Sequence, residues 1–363
     1  TSMALTTVRP QGMGFNTGRR NMVINGAMQV AQRGTSAVTI TSGGEYPNID
    51  RYSAGGNDSS LISVEQSTDA PSGFEYSLKV TSLAASTTDA ADFQFIGQRV
   101  EGYNTAQLDW GASGAKTVTV SFYVKCSVTG NIPFVIVNSN DTRVYAANCT
   151  VSSANTWEYK TITIDGDTSG TWLKTNGVGL KIQWYMALGS NFQGTLDQWG
   201  TDYGASGQIN VCNTNGATFQ VTGVQLEVGT NASDFEHRSF GEELSLCQRY
   251  FQQQGRDGSG GRLFGVQQSS NYGILGIDFP QTMRAAPTFT LYGGNSTTGN
   301  ITVSGASADS TIAANATNSV TVQPSLMSFN WNNTLSGSNT SKAIWHDMGT
   351  AATRLSYTLD AEL

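Results

Sequence analysis

Charge is scarce in this sequence. Asp, Glu, Lys and Arg make up 13% of its 363 residues, about half the ~25% usual in globular domains. What charge there is leans acidic, 27 residues against 20, for a net charge of −7. No basic run and no basic–aromatic interleaving occurs, so nucleic acid is not an expected partner. No stretch approaches the ~18 apolar residues of a membrane-crossing helix, and no membrane partner is expected either. The start, TSMALTTVRPQ, holds no apolar core of signal-peptide length, and Met3 reads as the natural start.

Reactive side chains are nearly as sparse. Cys126, Cys149, Cys212 and Cys247 form no CxxC and no Cys–His cluster. That spacing argues against zinc and favours free, buried thiols over a disulfide framework. The two histidines, His237 and His346, lie near no serine or cysteine motif. Neither GxSxG, nor a P-loop, nor GxGxxG after a strand is present. GRDGSGG has the look of a nucleophile turn but reads better as a Gly-rich linker.

What the chain does have is Gly, Ser, Thr and Asn between short apolar runs. Its 41 glycines show no three-residue period, which excludes collagen. Aromatics reach 10% within a 38% apolar fraction, enough for a core. The length suits about two domains of roughly 150 residues each. Residues 1–20 read as an arm broken by Pro10, Gly12, Gly14 and Gly18. Strands are expected at Met22–Arg33, Leu61–Gln66, Tyr76–Thr81, Phe93–Glu101, Lys116–Ser127, Phe134–Asn138, Thr156–Ile164, Gly179–Leu188 and Phe219–Val228. In WEYKTITI the face is either Trp157, Tyr159, Thr161 and Thr163 or the offset pair Ile162 and Ile164. So many strands without a helical pattern predict an all-β, jelly-roll-like β-sandwich over 21–238.

SFGEELSLCQRYFQQQG, residues 239–255, breaks that pattern. Ser239 and Glu242 make a capping box, and Gly255 is placed to end a helix. Leu244, Leu246, Cys247, Tyr250 and Phe251 fall in one broad arc. The segment is expected to be a short connecting α-helix. Its apolar face, Leu244, Cys247, Tyr250 and Phe251, would then meet copies around a three-fold axis or a neighbouring sandwich. Residues 256–363 return to β character and predict a second, smaller β-sandwich.

Two groups of side chains invite a chemical reading. Asp89/Asp92, Asp165/Asp167 and Asp197/Asp202 could serve as a glycosidase pair, but carboxylates among Gly, Ser and Thr are usually turn formers. No catalytic residue is assigned and no cofactor is expected; calcium is the one metal that clustered carboxylates could hold, without an EF-hand pattern to support it. The loop GTLDQWGTDYGASG carries Trp199 and Tyr203 among Asp197, Gln198 and Asp202. Rings flanked by acids and amides suit sugars, the ring facing the CH side and the acids taking hydroxyls. The competing reading makes Trp199 a plug at one end of the sandwich. Trp110 reads as core, and Asp50-Arg51-Tyr52 as a structural ion pair at a strand edge.

The stretches NMVINGAMQVAQRGTS, IDRY, FIGQRVEG, TVTVSFYVKC, VTGVQLEVGTNASDFEHRSFGEELSLCQRYFQ and FPQTMRAAPTFTLYG resemble, in order, segments of bacteriophage tail-fibre and related virion proteins. The resemblance covers most of the chain. It implies a carbohydrate-binding-module-like sandwich in a homotrimer mounted on a virion, touching other virion proteins and recognising host cell-surface glycans without catalysis. The absence of a secretion signal is consistent with release by lysis. A capsid decoration protein without a ligand and a polysaccharide depolymerase are the rival readings. The depolymerase is weakened by the lack of β-helix repeats.

Overall fold

The computed structural model describes residues 19–41, 43–58, 61–254, 264–269, 272–292, 300–303, 310–313, 317–322, 326–331, 343–345 and 356–363. Most of the expected arm, the Gly-rich loop and His346 lie outside them. The strands expected over 61–66, 76–81, 93–101, 116–127, 134–138, 156–164, 179–188 and 219–228 all form. With four further strands that were not expected, Val38–Thr39, Tyr52–Gly56, Val144–Val151 and Trp199–Gly200, they make a jelly-roll-like sandwich of two six-stranded antiparallel sheets.

The first sheet runs β1 (Val38–Thr39), β3 (Ile62–Ser67), β4 (Ser77–Ser82), β12 (Thr218–Val228), β6 (Val118–Cys126) and β9 (Glu158–Ile164). Apolar and polar or aromatic residues alternate along β6, with Thr119 and Ser121 buried as well. Val118, Val120, Phe122, Val124 and Cys126 are buried, while Tyr123 and Lys125 on the opposite face are half-buried. On β9, Ile164 is buried while Tyr159, Thr161 and Thr163 are exposed, so the offset set faces the core.

The second sheet runs β11 (Trp199–Gly200), β8 (Val144–Val151), β7 (Gly130–Val137), β10 (Val178–Leu188), β5 (Phe93–Glu101) and β2 (Tyr52–Gly56). It carries buried apolar residues on both faces. Phe134, Ile136 and Trp184 turn into the sandwich, where Trp184 meets Phe122 at 5.1 Å and Phe134 at 5.4 Å between ring centroids. Val135, Val137, Val144, Ala146, Phe95 and Tyr185 form a separate buried layer on the other side. An antiparallel sheet usually leaves one face to water. This one has a second face to cover, and the segment 189–205 folds over part of it.

Met22–Arg33 is not a strand. It is an irregular, buried segment with left-handed residues at Asn25 (φ 58°) and Met28 (φ 58°). Its alternating apolar residues are read as a strand from sequence because period-2 spacing cannot distinguish a strand from a winding chain pinned by side chains. The pins are asparagines. Asn21 Oδ1 accepts from Val23 and Leu226 N–H, and Asn25 Nδ2 donates to the Val30 and Asp50 carbonyls. Gly26 passes so close to β12 that a Cβ there would sit 2.1 Å from the Val224 carbonyl oxygen.

The connecting helix is shorter than the sequence suggests. After the one-turn helix α1 (Gly102–Thr105), α2 spans Phe240–Gln248, with Ser239 Oγ accepting from the Glu242 N–H at 3.3 Å. Phe251–Gln254 is then a strand, β13, because β22 (Ser356–Asp360) claims its backbone: Phe251 pairs with Asp360 and Gln252 with Leu359. β22 also pairs β16 (Thr288–Tyr292). β14 (Phe264–Ser269), β15 (Tyr272–Asp278), β19 (Thr317–Val322), β20 (Leu326–Trp331) and β21 (Ala343–Trp345) form a five-stranded sheet. β17 (Asn300–Val303) and β18 (Ser310–Ala313) form a hairpin pair.

Within the chain, the apolar arc of α2 packs against the neighbouring first sandwich, one of the two partners expected for it. Cys247 and Tyr250 are fully buried against Ile24 and Val30 of the first sandwich, with Leu244 and Leu246 at the margin. Phe251 is 3% exposed beneath the Arg33 guanidinium, 3.5 Å from its ring centroid. Cys247, Tyr250 and Phe251 are thus buried within the chain, at the joint between the first sandwich and the strands that follow.

Candidate functional site

The motif residues converge at this joint. Glu101 accepts from Arg249 Nε at 2.9 Å, Arg249 Nη2 at 2.6 Å and the Tyr250 hydroxyl at 2.6 Å. The Arg249 guanidinium is held more firmly protonated by those bonds. Glu243 accepts from the Asn25 N–H and ion-pairs with Arg238 at 3.3 Å. Arg51 is buried over the Tyr250 ring and bonds Glu362. Burial pushes the Asp50 carboxyl up, with Arg33 and Gln32 pulling it back. Asp50-Arg51-Tyr52 is thus structural, and Tyr250 and Phe251 at the joint are buried. A hollow of about 570 Å3 beside it is lined by Thr288, Thr290, Thr358, Val38, Pro47 and Asp360, and its one aromatic ring, Phe251, is covered by Arg33.

The open site lies on the outer face of the second sheet, a cleft of about 320 Å3. Its floor is β5 and β10. Phe93, Phe95 and Arg99 alternate with the core residues Ile96 and Val100, and Lys181, Gln183 and Tyr185 alternate with Ile182 and Trp184. The Gly43–Gly44 turn forms one wall. The other wall is the segment 189–205. There the Tyr203 N–H donates to the Phe192 carbonyl and the Gly194 N–H to the Gly204 carbonyl, both at 2.8 Å, setting Tyr203 and Phe192 side by side. The rings brace one another edge-on: Phe93–Phe192 at 5.7 Å, Tyr185–Tyr203 at 5.7 Å and Phe192–Tyr203 at 6.2 Å. Phe95 and Tyr185 are buried in the floor, while Phe93, Phe192 and Tyr203 keep part of their surface open.

The polar groups are fixed as well. Asp141, on the turn between β7 and β8, accepts from Lys181 Nζ at 2.7 and 2.8 Å and from the Tyr203 hydroxyl at 2.9 Å. Burial and the neighbouring Asp141 charge hold the Tyr203 phenol well above its ordinary value. Gln183 Oε1 accepts from the Tyr185 hydroxyl at 3.3 Å.

Of the five residues singled out from sequence, only Tyr203 lines this cleft. Trp199 lies at the end of the sandwich, edge-on to Trp110 at 5.2 Å, Trp172 at 5.4 Å and Tyr145 at 5.4 Å, with its indole N–H on the Asp165 carbonyl. Asp197 takes a left-handed conformation (φ 59°) and its N–H bonds the Ala146 carbonyl. Asp202 accepts from the Thr195 N–H within the loop, and Gln198 is exposed. The carboxylate pairs also have structural partners. Asp92 accepts from the Asp89 N–H, Asp165 from the Thr117 hydroxyl, and Asp167 holds Arg143 through two bonds of 2.7 Å. Among the described residues no group of three or more His, Cys, Asp or Glu is placed to hold a metal ion. The four cysteines are free and buried.

Lys181, Gln183 and Tyr185 carried a signal that passed unread. In LKIQWYMAL they alternate with Ile182, Trp184 and Met186, a polar and aromatic face behind a fully apolar one. Phe192 and Asp141 carried none, because the loops containing them reach the cleft only through tertiary contacts.

No protein-family model matches the sequence, and no curated protein does. Several solved structures superpose loosely. The enzymatically active domain of tailspike protein 4 of bacteriophage CBA120 aligns at 10% identity and TM-score 0.30, over 58% of this chain and 21% of that one. A candidate sugar-binding protein of Bacteroides thetaiotaomicron aligns at 12% identity and TM-score 0.34, over 58% of this chain and 100% of that one. The family 11 carbohydrate-binding module of the Clostridium thermocellum cellulase Lic26A-Cel5E aligns at 12% and 0.28, over 55% and 98%. At such scores none of the three fixes what this chain binds, and the reading rests on the cleft.

Proposed function

We propose that the chain is a non-catalytic, glycan-binding structural protein of a phage particle, and that it holds sugar in the cleft between Tyr203, Phe192 and the outer face of β5 and β10. The observation that carries this reading is the cleft itself: partly open rings beside fixed donors and acceptors, mounted on a rigid sheet. Sugars are bound by such a combination, ring faces for their CH surfaces and directional polar groups for their hydroxyls. The motif resemblance supplies the virion setting and the host-surface glycan as ligand. A shallow site of this kind binds weakly alone, and repetition around a homotrimer and over many copies on a particle raises avidity without new contacts.

The test is direct. Tyr203→Ala and Phe192→Ala are expected to weaken binding to host polysaccharide at least ten-fold, about 1.4 kcal/mol, with the fold intact by circular dichroism. Full binding by both variants would remove the cleft from consideration. Analytical ultracentrifugation of the chain and immunogold labelling of particles test the trimer and the virion location.

A further inference from the structure

The cleft is polarised. β5 and β10 are antiparallel, and their register sets Lys181 directly opposite Arg99, with Gln183 opposite Gly97 and Tyr185 opposite Phe95 on the same face. One end is therefore cationic and the other aromatic. Two like charges opposed on neighbouring strands are unfavourable, and a chain with a net charge of −7 has few cations to place. Lys181 has Asp141 as a partner, but Asp141 is shared with the Tyr203 hydroxyl. Arg99 forms no ion pair with an Asp or Glu side chain among the described residues; its guanidinium donates through Nη1 to an oxygen of Leu363, the last residue of the chain. A guanidinium has five N–H donors, so most of its capacity is uncommitted. Gln183 adds a further donor: Tyr185 occupies its Oε1, while its Nε2 has no protein acceptor among the described residues. The floor thus offers uncommitted N–H donors beside two opposed cationic side chains and next to rings.

We infer that the cleft takes an acidic glycan, with a carboxylate or sulfate between Arg99 and Lys181 and a sugar ring against Tyr203 and Phe192. This rests on the reading of the cleft as a glycan site and narrows it to one substrate class. Charge-assisted bonds to Arg and Lys are the stronger kind, and Arg can engage a carboxylate through two N–H groups. The anion competes with Asp141 for Lys181. Asp141 sits at φ 61°, a conformation that asparagine tolerates well, so Asp141→Asn removes the competing charge without straining the turn.

The experiment is a glycan array carrying neutral, uronate, sialylated and sulfated oligosaccharides, followed by titration with the best ligand and its neutral counterpart, carboxyl-reduced or desulfated. Binding is expected only on acidic glycans, at least ten-fold weaker after the anionic group is removed and weaker with rising salt. Arg99→Gln and Lys181→Gln should each abolish the preference, and Asp141→Asn should tighten binding several-fold, a gain that misfolding cannot produce. Binding to neutral glycans that ignores Arg99→Gln and Asp141→Asn overturns the acidic assignment and leaves the cleft a neutral-sugar site. Acidic binding that survives Arg99→Gln and Tyr203→Ala together places the anion elsewhere and overturns it too. Silence of the native chain across the whole array removes both readings.

Discussion

At the scale of single residues, the chain is held by a few side chains whose neighbours leave no alternative. Gly26 lets the irregular segment lie flat on β12. A methyl group there would meet the Val224 carbonyl oxygen at 2.1 Å, and that atom is backbone within a sheet, so it cannot swing aside. Gly26→Ala is expected to destabilise the fold by about 1–3 kcal/mol, read as a lower denaturant midpoint at unchanged slope. A wild-type midpoint would mean that the segment can lift off β12 at no cost. Glycine at this position was visible in the sequence; the reason for it was not, because Val224 lies far along the chain.

At the scale of elements, the helix and the strand after it show where local reading stops. The cap Ser239, the glutamates of the first turn and the apolar spacing all identified α2. Nothing local marked its end at Gln248, because YFQQQ can continue a helix or form a strand. Pairing with β22 decides for the strand, by giving Phe251–Gln254 its backbone partners. The same pairing moves Phe251 from a helical face to a position beneath Arg33. Phe251→Gln is therefore expected to lower the melting temperature and loosen the C-terminal strand while leaving the sedimentation coefficient of the assembly unchanged. A change in oligomeric state would instead give Phe251 a role in an interface between copies.

At the scale of the whole molecule, buried titratable groups set an alkaline limit. Burial pushes the Cys149 and Cys212 thiols from 9.0 to about 12, and the Tyr250 phenol from 10.0 to about 12. Above about pH 9 the unfolded chain releases protons that the folded chain keeps, so unfolding is increasingly favoured as pH rises. Each such group contributes up to ~1.4 kcal/mol per pH unit between its two values. The denaturant midpoint is expected to fall steadily from about pH 9 to about pH 12. A flat profile would mean that these groups reach water in the native state. The sparse cysteines were expected to be free and buried, and they are.

The sequence alone determined the class of fold and much of its core. Alternating valines and aromatics in TVTVSFYVKC commit one face inward whatever the surroundings, since the period of a strand is local. It also determined that α2 exists and that Trp110 is core. Only the tertiary structure decided which ring is open. Trp199 and Tyr203 stand four positions apart in one loop, yet the first packs into the tryptophan cluster at the end of the sandwich and the second faces the cleft. The difference arises because the outer face of the second sheet carries an apolar layer that has to be covered. The segment 189–205 folds back over it, and what that fold leaves uncovered is the cleft. Burial of that kind is a property of the two surfaces together, and neither stretch of sequence contains it.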